Sequence, residues 1–270
     1  MTASGQNPLV EEAAIIGVGL MGGSLGLDLR AAGVAARVTG VDLSPDTLAA
    51  ALETGAIDRA AASLEDGLRN ADAVFIAAPV TAISGLLARC AAHASHARLI
   101  TDLGSTKSRI CVEGRALLGD RFVGGHPMAG SETGGISSAR PGLFRGAAWA
   151  ITCAADSGLP SADLLVSIIL AIGARPIFFD AETHDRLAAL VSHLPHVLSF
   201  AFARTVAQSP DSDLARSLAG GSYRDLMRVS ASDRAAWAEI FRENRNCLLD
   251  AICEYRASLD AVVREIEKLG

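Results

Sequence analysis

Aromatic residues are scarce in this chain, at 4% of the sequence, so Ala, Leu, Val and Gly must do most of the core filling. Basic runs are missing too, and the net charge is −6. Nucleic acids and anionic membrane surfaces are therefore excluded as expected partners. The N-terminus, MTASGQNPLVEE, has no positively charged segment and places acids before the first apolar run, unlike a signal peptide. No uninterrupted apolar stretch reads as long enough to span a membrane. The five cysteines, Cys90, Cys111, Cys153, Cys247 and Cys253, are odd in number and lack metal-ligand spacing. They read as free buried thiols in a reducing cytosol, with no metal expected. What the chain does have is 50% hydrophobic residues over 270 positions, enough core for one large or two modest domains.

The most informative segment is AAIIGVGLMGGSLG, residues 13–26. An apolar run breaks into Gly17-x-Gly19-x-x-Gly22, and an amphipathic pattern starts at once. Gly17 allows a tight turn out of a strand. Gly19 lets a pyrophosphate approach the backbone. Gly22 lets the new helix pack closely on the sheet, with its N-terminal N–H groups facing the phosphates. Asp42 lies 20 residues beyond Gly22, at the end of the next apolar run. A carboxylate there accepts from a ribose 2′-hydroxyl and repels a 2′-phosphate, which selects NAD over NADP. The expected cofactor set is Gly17, Gly19, Leu20, Met21, Gly22, Asp42 and Pro79.

Strand candidates fall at 13–18, 36–42, 72–78, 97–102, 121–124, 147–152 and 174–179, with helical patterns at 21–33, 45–54, 81–92, 106–118 and 161–173. This alternation predicts an α/β fold, a Rossmann-type doubly wound parallel sheet. From Asp180 the strand signal stops. A helix begins around Thr183-His184-Asp185 and is interrupted or kinked at Ser192–His196, where Pro195 has no N–H to give. Gly220-Gly221 reads as a break and 234–268 as one long helix. The expected organisation is a dinucleotide-binding domain, 1–178, and an all-helical domain, 179–270. The second is too short to bury its own apolar faces, which predicts a homodimer.

Ligands of such sheets sit beyond the carboxyl ends of the strands. Two unusual loops belong there, Asp102-Leu-Gly-Ser-Thr-Lys107 and Gly124-Gly-His-Pro-Met-Ala-Gly-Ser-Glu-Thr-Gly-Gly135. A histidine in such a loop can titrate near neutrality. From composition alone His126 could equally cap a turn, and Ser105 could equally cap a helix.

Five segments in one order narrow the choice: Gly17–Gly22 with Asp42, Asp102–Lys107, His126-Pro-Met-Ala-Gly-Ser-Glu132, Ser192-His-Leu-Pro-His196 and Arg224–Asp233. Together they resemble the prephenate/arogenate dehydrogenase family of tyrosine biosynthesis, over about residues 12–250. The resemblance implies a dinucleotide-binding domain followed by a helical dimerisation and substrate domain, in a cytoplasmic enzyme. It implies that His126 takes the proton of the substrate's ring hydroxyl and that Ser105 helps hold that hydroxyl. Arg228 then binds a substrate carboxylate, His196 lies near the substrate side chain with His193 close by, and Glu132 stands at the pocket mouth. Arg224 is a further substrate-binding candidate. Thr133-Gly134-Gly135 replaces the Lys-Ser-Gly of many relatives, and the chain is expected to carry no appended regulatory domain.

The implied substrate is a small non-aromatic dicarboxylate. Its oxidation needs a base near neutral pH and a cationic clamp, roles that His126 and Arg228 suit by residue type. Prephenate, arogenate and a 4-amino analogue stay open. A β-hydroxyacid dehydrogenase or imine reductase is disfavoured by the histidine in the 124–135 loop. A non-catalytic dinucleotide-binding relative would be free to lose Ser105, His126 or Arg228, and all three are present.

Overall fold

The computed structural model describes residues 7–152 and 158–269. They fall into two compact units, Met1–His184 and Asp185–Gly270.

The first unit is built on an eight-stranded sheet. Its strands are β1 (Val10–Ile16), β2 (Ala35–Val41), β3 (Arg59–Ala60), β4 (Ala73–Ile76), β5 (Leu99–Asp102), β6 (Phe122–Pro127), β7 (Ala148–Thr152) and β8 (Arg175–Phe178). Their order across the sheet is β3-β2-β1-β4-β5-β6-β7-β8. The helices between them are α1 (Leu20–Ala31), α2 (Pro45–Glu53), α3 (Leu64–Leu68), α4 (Val80–His93), α5 (Ser108–Leu118) and α6 (Pro160–Ala171). The chain steps outward from β1 in both directions, so the switch point lies between the carboxyl ends of β1 and β4. Buried Val, Ile, Leu and Ala fill β1, β4 and β5 at the centre of the sheet, as a sheet covered on both faces requires.

Two features of the sheet depart from the sequence reading, and α3 is a short helix that the sequence reading did not include. The sheet is not wholly parallel, because β7 pairs antiparallel to β6, with His126 opposite Ala150. No α-helix crosses back between those two strands, so the chain returns alongside itself in the opposite direction. The two-residue β3 is the other, too short to show any periodicity. Arg59 anchors it by pairing with Glu12 and Asp66.

Cys90, Cys247 and Cys253 are free thiols as expected, but only Cys90 is buried; Cys247 is half-buried and Cys253 exposed. The free-thiol expectation fails at Cys111, which is disulfide-bonded; Cys153 lies outside the described residues. The Cys111 Sγ also sits 3.0 Å from Thr152 Oγ1 on β7, a long-range neighbour that cysteine spacing cannot reveal. Burial pushes the Cys90 thiol up to about 12.

The helical region begins with α7 (Ala181–Ala188), a π-helical turn at Ala189–His193 and α8 (Leu194–Gln208). The wide turn ends just before Pro195, whose ring would clash with an ordinary preceding turn. These pieces form one continuous run of 28 residues, Ala181–Gln208, within which an 18-residue window has a mean hydropathy of 1.2; among the described residues this one helix is long and apolar enough to cross a membrane by length and composition alone. Beyond it come α9 (Ser212–Ser217), α10 (Gly221–Ser230), α11 (Arg234–Glu243) and α12 (Arg245–Glu267). Gly220 is the N-cap of α10, as the break at Gly220-Gly221 suggested. The single helix read over 234–268 is instead two, divided at Asn244, which has φ −109° and ψ 31°. Asn244 is buried and gives its amide N–H to the Asp185 carbonyl at 2.7 Å, with His193 Nδ1 at 3.2 Å. A tertiary hydrogen bond overrides local helix propensity there.

Candidate active site

The cofactor cradle is assembled at the end of β1. Gly17 has φ +89°, and a Cβ on it would lie 2.5 Å from the Ala77 carbonyl oxygen. A Cβ on Gly22 would lie 1.9 Å from the Gly17 carbonyl oxygen, so a larger residue would push α1 off the turn. Nothing lies within 4 Å of where a Gly19 Cβ would be, and Gly19 caps α1 without a side-chain partner. The N-terminus of α1 thus faces an open space with backbone donors, the arrangement that receives a pyrophosphate. Asp42 stands half-buried just past β2. Its carboxylate accepts from Val18 N–H and Ser44 N–H, both at 3.0 Å, which fixes it beside the glycine turn. Leu20 is buried and Met21 partly so, within the first turn of α1. Pro79 is exposed at the start of α4, just after β4. The residues fit a dinucleotide bearing a free ribose 2′-hydroxyl.

The second part of the site joins the ends of β5 and β6. Asp102 and Lys107 are wholly buried and form an ion pair. Such a pair is tolerable only when its remaining hydrogen-bonding capacity is used. Asp102 Oδ2 also accepts from Gly104 N–H at 2.9 Å, and Oδ1 accepts from Gly125 N–H at 3.3 Å. One carboxylate therefore ties the residue before Ser105 to the residue before His126. Gly125 is needed for this approach, since a Cβ there would come within 2.7 Å of the Asp102 carbonyl oxygen. Ser105 is half-buried and does not cap α5, whose N-cap is Lys107.

His126 is 7% exposed, on the last turn of the strand before the glycine-rich loop. Its Nδ1 is 2.9 Å from Nε2 of His184, a residue of α7 that is 3% exposed. The two rings meet edge to face, with centroids 5.1 Å apart and planes at 68°. Sequence reasoning treated His184 only as part of a helix start. Nothing at a separation of 58 residues could have tied it to His126.

The segment after His126 is tied to the cofactor helix. Ser131, Thr133 and Ser138 hydroxyls bond one another, and Ser138 Oγ donates to the Gly134 carbonyl. Thr133-Gly134-Gly135 thus forms a compact polar turn, with Glu132 exposed on it. Further along, Arg140 N–H donates to Ser24 Oγ at 3.0 Å and Gly142 N–H to Asp28 Oδ1 at 2.6 Å. Asp28 is buried in α1, and desolvation raises its pKa above the ordinary carboxylate range.

The other predicted residues belong to the helical unit. His196 donates from Nδ1 to the Ser192 carbonyl at 2.9 Å and stacks on Trp237, centroids 3.5 Å apart and planes at 21°. Burial depresses its pKa, keeping the ring neutral, while the bond to Ser192 opposes that shift. His193 is wholly buried, beside Asn244 and edge-on to Trp237. Arg228 and Arg224 lie exposed on α10, and Arg224 donates to the Ala219 carbonyl at 3.0 Å. No local signal marks Trp237 as the platform for His196.

Comparison with known proteins decides what this assembly is. Residues 25–178 match the model described as prephenate dehydrogenase, nucleotide-binding domain, and residues 180–269 match prephenate dehydrogenase, dimerization domain. This chain belongs to the prephenate dehydrogenase family. It is 32% identical over 269 residues to the prephenate dehydrogenase of Bacillus subtilis, covering 97% of this chain and 72% of that one. A crystal structure of Aquifex aeolicus prephenate dehydrogenase, in complex with hydroxyphenyl propionate and NAD+, aligns with a TM-score of 0.86 and 31% identity, over 95% of this chain and 92% of that one. The Synechocystis arogenate dehydrogenase aligns at 0.79 and 30%, over the same shares of 95% and 92%. Family membership thus bears out the Rossmann-type unit followed by a helical dimerization domain.

Proposed function

We propose that this chain is a cytoplasmic, homodimeric, NAD-dependent prephenate dehydrogenase that forms 4-hydroxyphenylpyruvate in tyrosine biosynthesis. The observation that carries the reading is the shared Asp102 carboxylate, which locks the Ser105 loop and the His126 strand end together. The division of labour we infer is a dinucleotide-binding domain, 1–178, and a helical dimerisation and substrate domain, 179–270.

NAD, when bound, supplies the hydride acceptor. His126 removes the proton of the ring hydroxyl as C4 gives up its hydride. Ser105 holds that hydroxyl in line with the histidine. The ring carboxylate then leaves as CO2, the electron pair of the broken C–C bond completes the aromatic ring, and the phenolate oxygen takes the proton back from His126. Arg228 holds a substrate carboxylate through its planar fork; Glu132 is the acid at the pocket mouth, and Arg224 is a further substrate-binding candidate. His196, kept neutral on its tryptophan platform, suits a pyruvyl group better than an ammonium, which favours prephenate over arogenate. His193 supports that platform from the buried side. No metal, nucleic acid or membrane enters this scheme.

Steady-state kinetics of the purified protein with prephenate and arogenate, each with NAD and NADP, test the reading. The expected order puts prephenate with NAD first, and Asp42→Ser should narrow the gap between cofactors. A higher kcat/KM with arogenate would replace the substrate, and equal use of NADP would remove the role given to Asp42.

A further inference from the structure

We propose that His184 is a positioning residue for the reaction, fixing the tautomer of His126 so that Nε2 is the basic nitrogen. The inference rests on His126 as the base; its own content is the direction of one hydrogen bond.

The two ring nitrogens are 2.9 Å apart, so one carries the proton and the other accepts it. Both side chains are buried, at 7% and 3% exposure, which keeps bulk water from taking over either role. If Nδ1 of His126 is the donor, the lone pair on its Nε2 is left to take a proton from substrate. If it is the acceptor, Nε2 of neutral His126 carries hydrogen and cannot act as a base. Base chemistry therefore demands Nδ1–H on His126 and a bare Nε2 on His184, which puts the His184 proton on Nδ1.

Strand β6 holds the His126 backbone through its pairing with Ala150, and α7 fixes His184 in an edge-to-face approach at 68°. Ring flips that would exchange the His126 nitrogens break this contact. The arrangement resembles the base and orienter of a catalytic triad, with a neutral imidazole where a carboxylate stands. Proton balance is simple. The substrate hydroxyl proton moves to Nε2 of His126, and the resulting imidazolium strengthens its existing Nδ1–H bond to His184.

The test is nitrogen-15 histidine NMR on the full chain with NAD bound, together with kinetics. The His126 signals are assigned by their loss in His126→Asn. Wild-type His126 is expected to show a protonated Nδ1 and a bare Nε2. His184→Leu should lose that preference and drop kcat at least ~10-fold, with KM for prephenate changed less than about twofold. His184→Gln, whose amide oxygen can accept the same hydrogen bond, should restore the tautomer and bring kcat to within about threefold of wild type. Nε2–H as the main wild-type form would overturn the proposal, as would an unchanged tautomer in His184→Leu. Should His184→Leu fail to fold, the wild-type spectrum and the His184→Gln rescue still decide. Full activity in His126→Asn would instead remove the base assignment, while the spectrum continues to report on the pair.

Discussion

The two units close their cores to different degrees. In the first, every residue of β4, β5 and β6 is buried, and Val, Ile, Leu, Phe and Ala fill the space between sheet and helices. In the second, the buried hydrophobic cluster is small, made of Ala189, Leu194, Leu248 and Ala251 with partly buried neighbours. Leu249, Leu259, Val262, Val263 and Ile266 stay exposed along α12, and Leu214 and Leu218 around α9. A sheet covered by helices supplies two apolar faces from one stretch of chain. A set of helices under 90 residues long has too much surface for its volume and must find more of it elsewhere. The match to a dimerization-domain model agrees with that need.

The sharpest way to separate the units is to disable chemistry in one without touching the other. His126→Asn should cut kcat at least ~10²-fold while NAD affinity stays nearly intact, measured by single-turnover kinetics and cofactor titration. More than a tenth of wild-type kcat would take the base role from the first unit. Arg228→Ala, in the second unit, should raise KM for prephenate roughly tenfold or more and leave NAD affinity alone, because it removes one partner of a charge-assisted pair. An unchanged KM would give Arg228 a structural role and leave the helical unit without its carboxylate clamp.

The difference in core closure itself predicts a doubling of mass. Light scattering at micromolar concentration should give about twice the 27.8 kDa of one chain. Val263→Glu with Ile266→Glu should return it to one chain if α12 forms the interface. A wild-type monomer would break the comparison, and an interface confined to residues 1–178 would invert it. The smallest effect concerns burial of a charge within the tight first unit. Asp28 has a raised carboxyl pKa because desolvation penalises its charged form. A raised folded-state pKa means the folded state binds the proton more tightly, so the penalty is absent at low pH and grows as pH rises through that pKa. Asp28→Asn should therefore raise Tm by roughly 2 °C at pH 8, with the gain fading toward pH 4, as calorimetry would show. A gain that grew with acidification would refute the sign.

The sequence by itself determined the features whose causes are local. The glycine turn and Asp42 were legible because backbone conformation and close packing at Gly17 and Gly22 admit no side chain. Most strands and helices of the first unit followed from apolar period and lay within a few residues of their expected bounds. The loops bearing Ser105 and His126 were legible as sites because they follow predicted strands. Tertiary structure alone decided the rest. The reversal of β7, the division of the last helix at Asn244, the stacking of His196 on Trp237 and the meeting of His126 with His184 all depend on groups far apart in the chain. Hydrogen bonds and ring contacts of that kind are set by where the sheet and helices bring distant residues, and no periodicity along the chain encodes them.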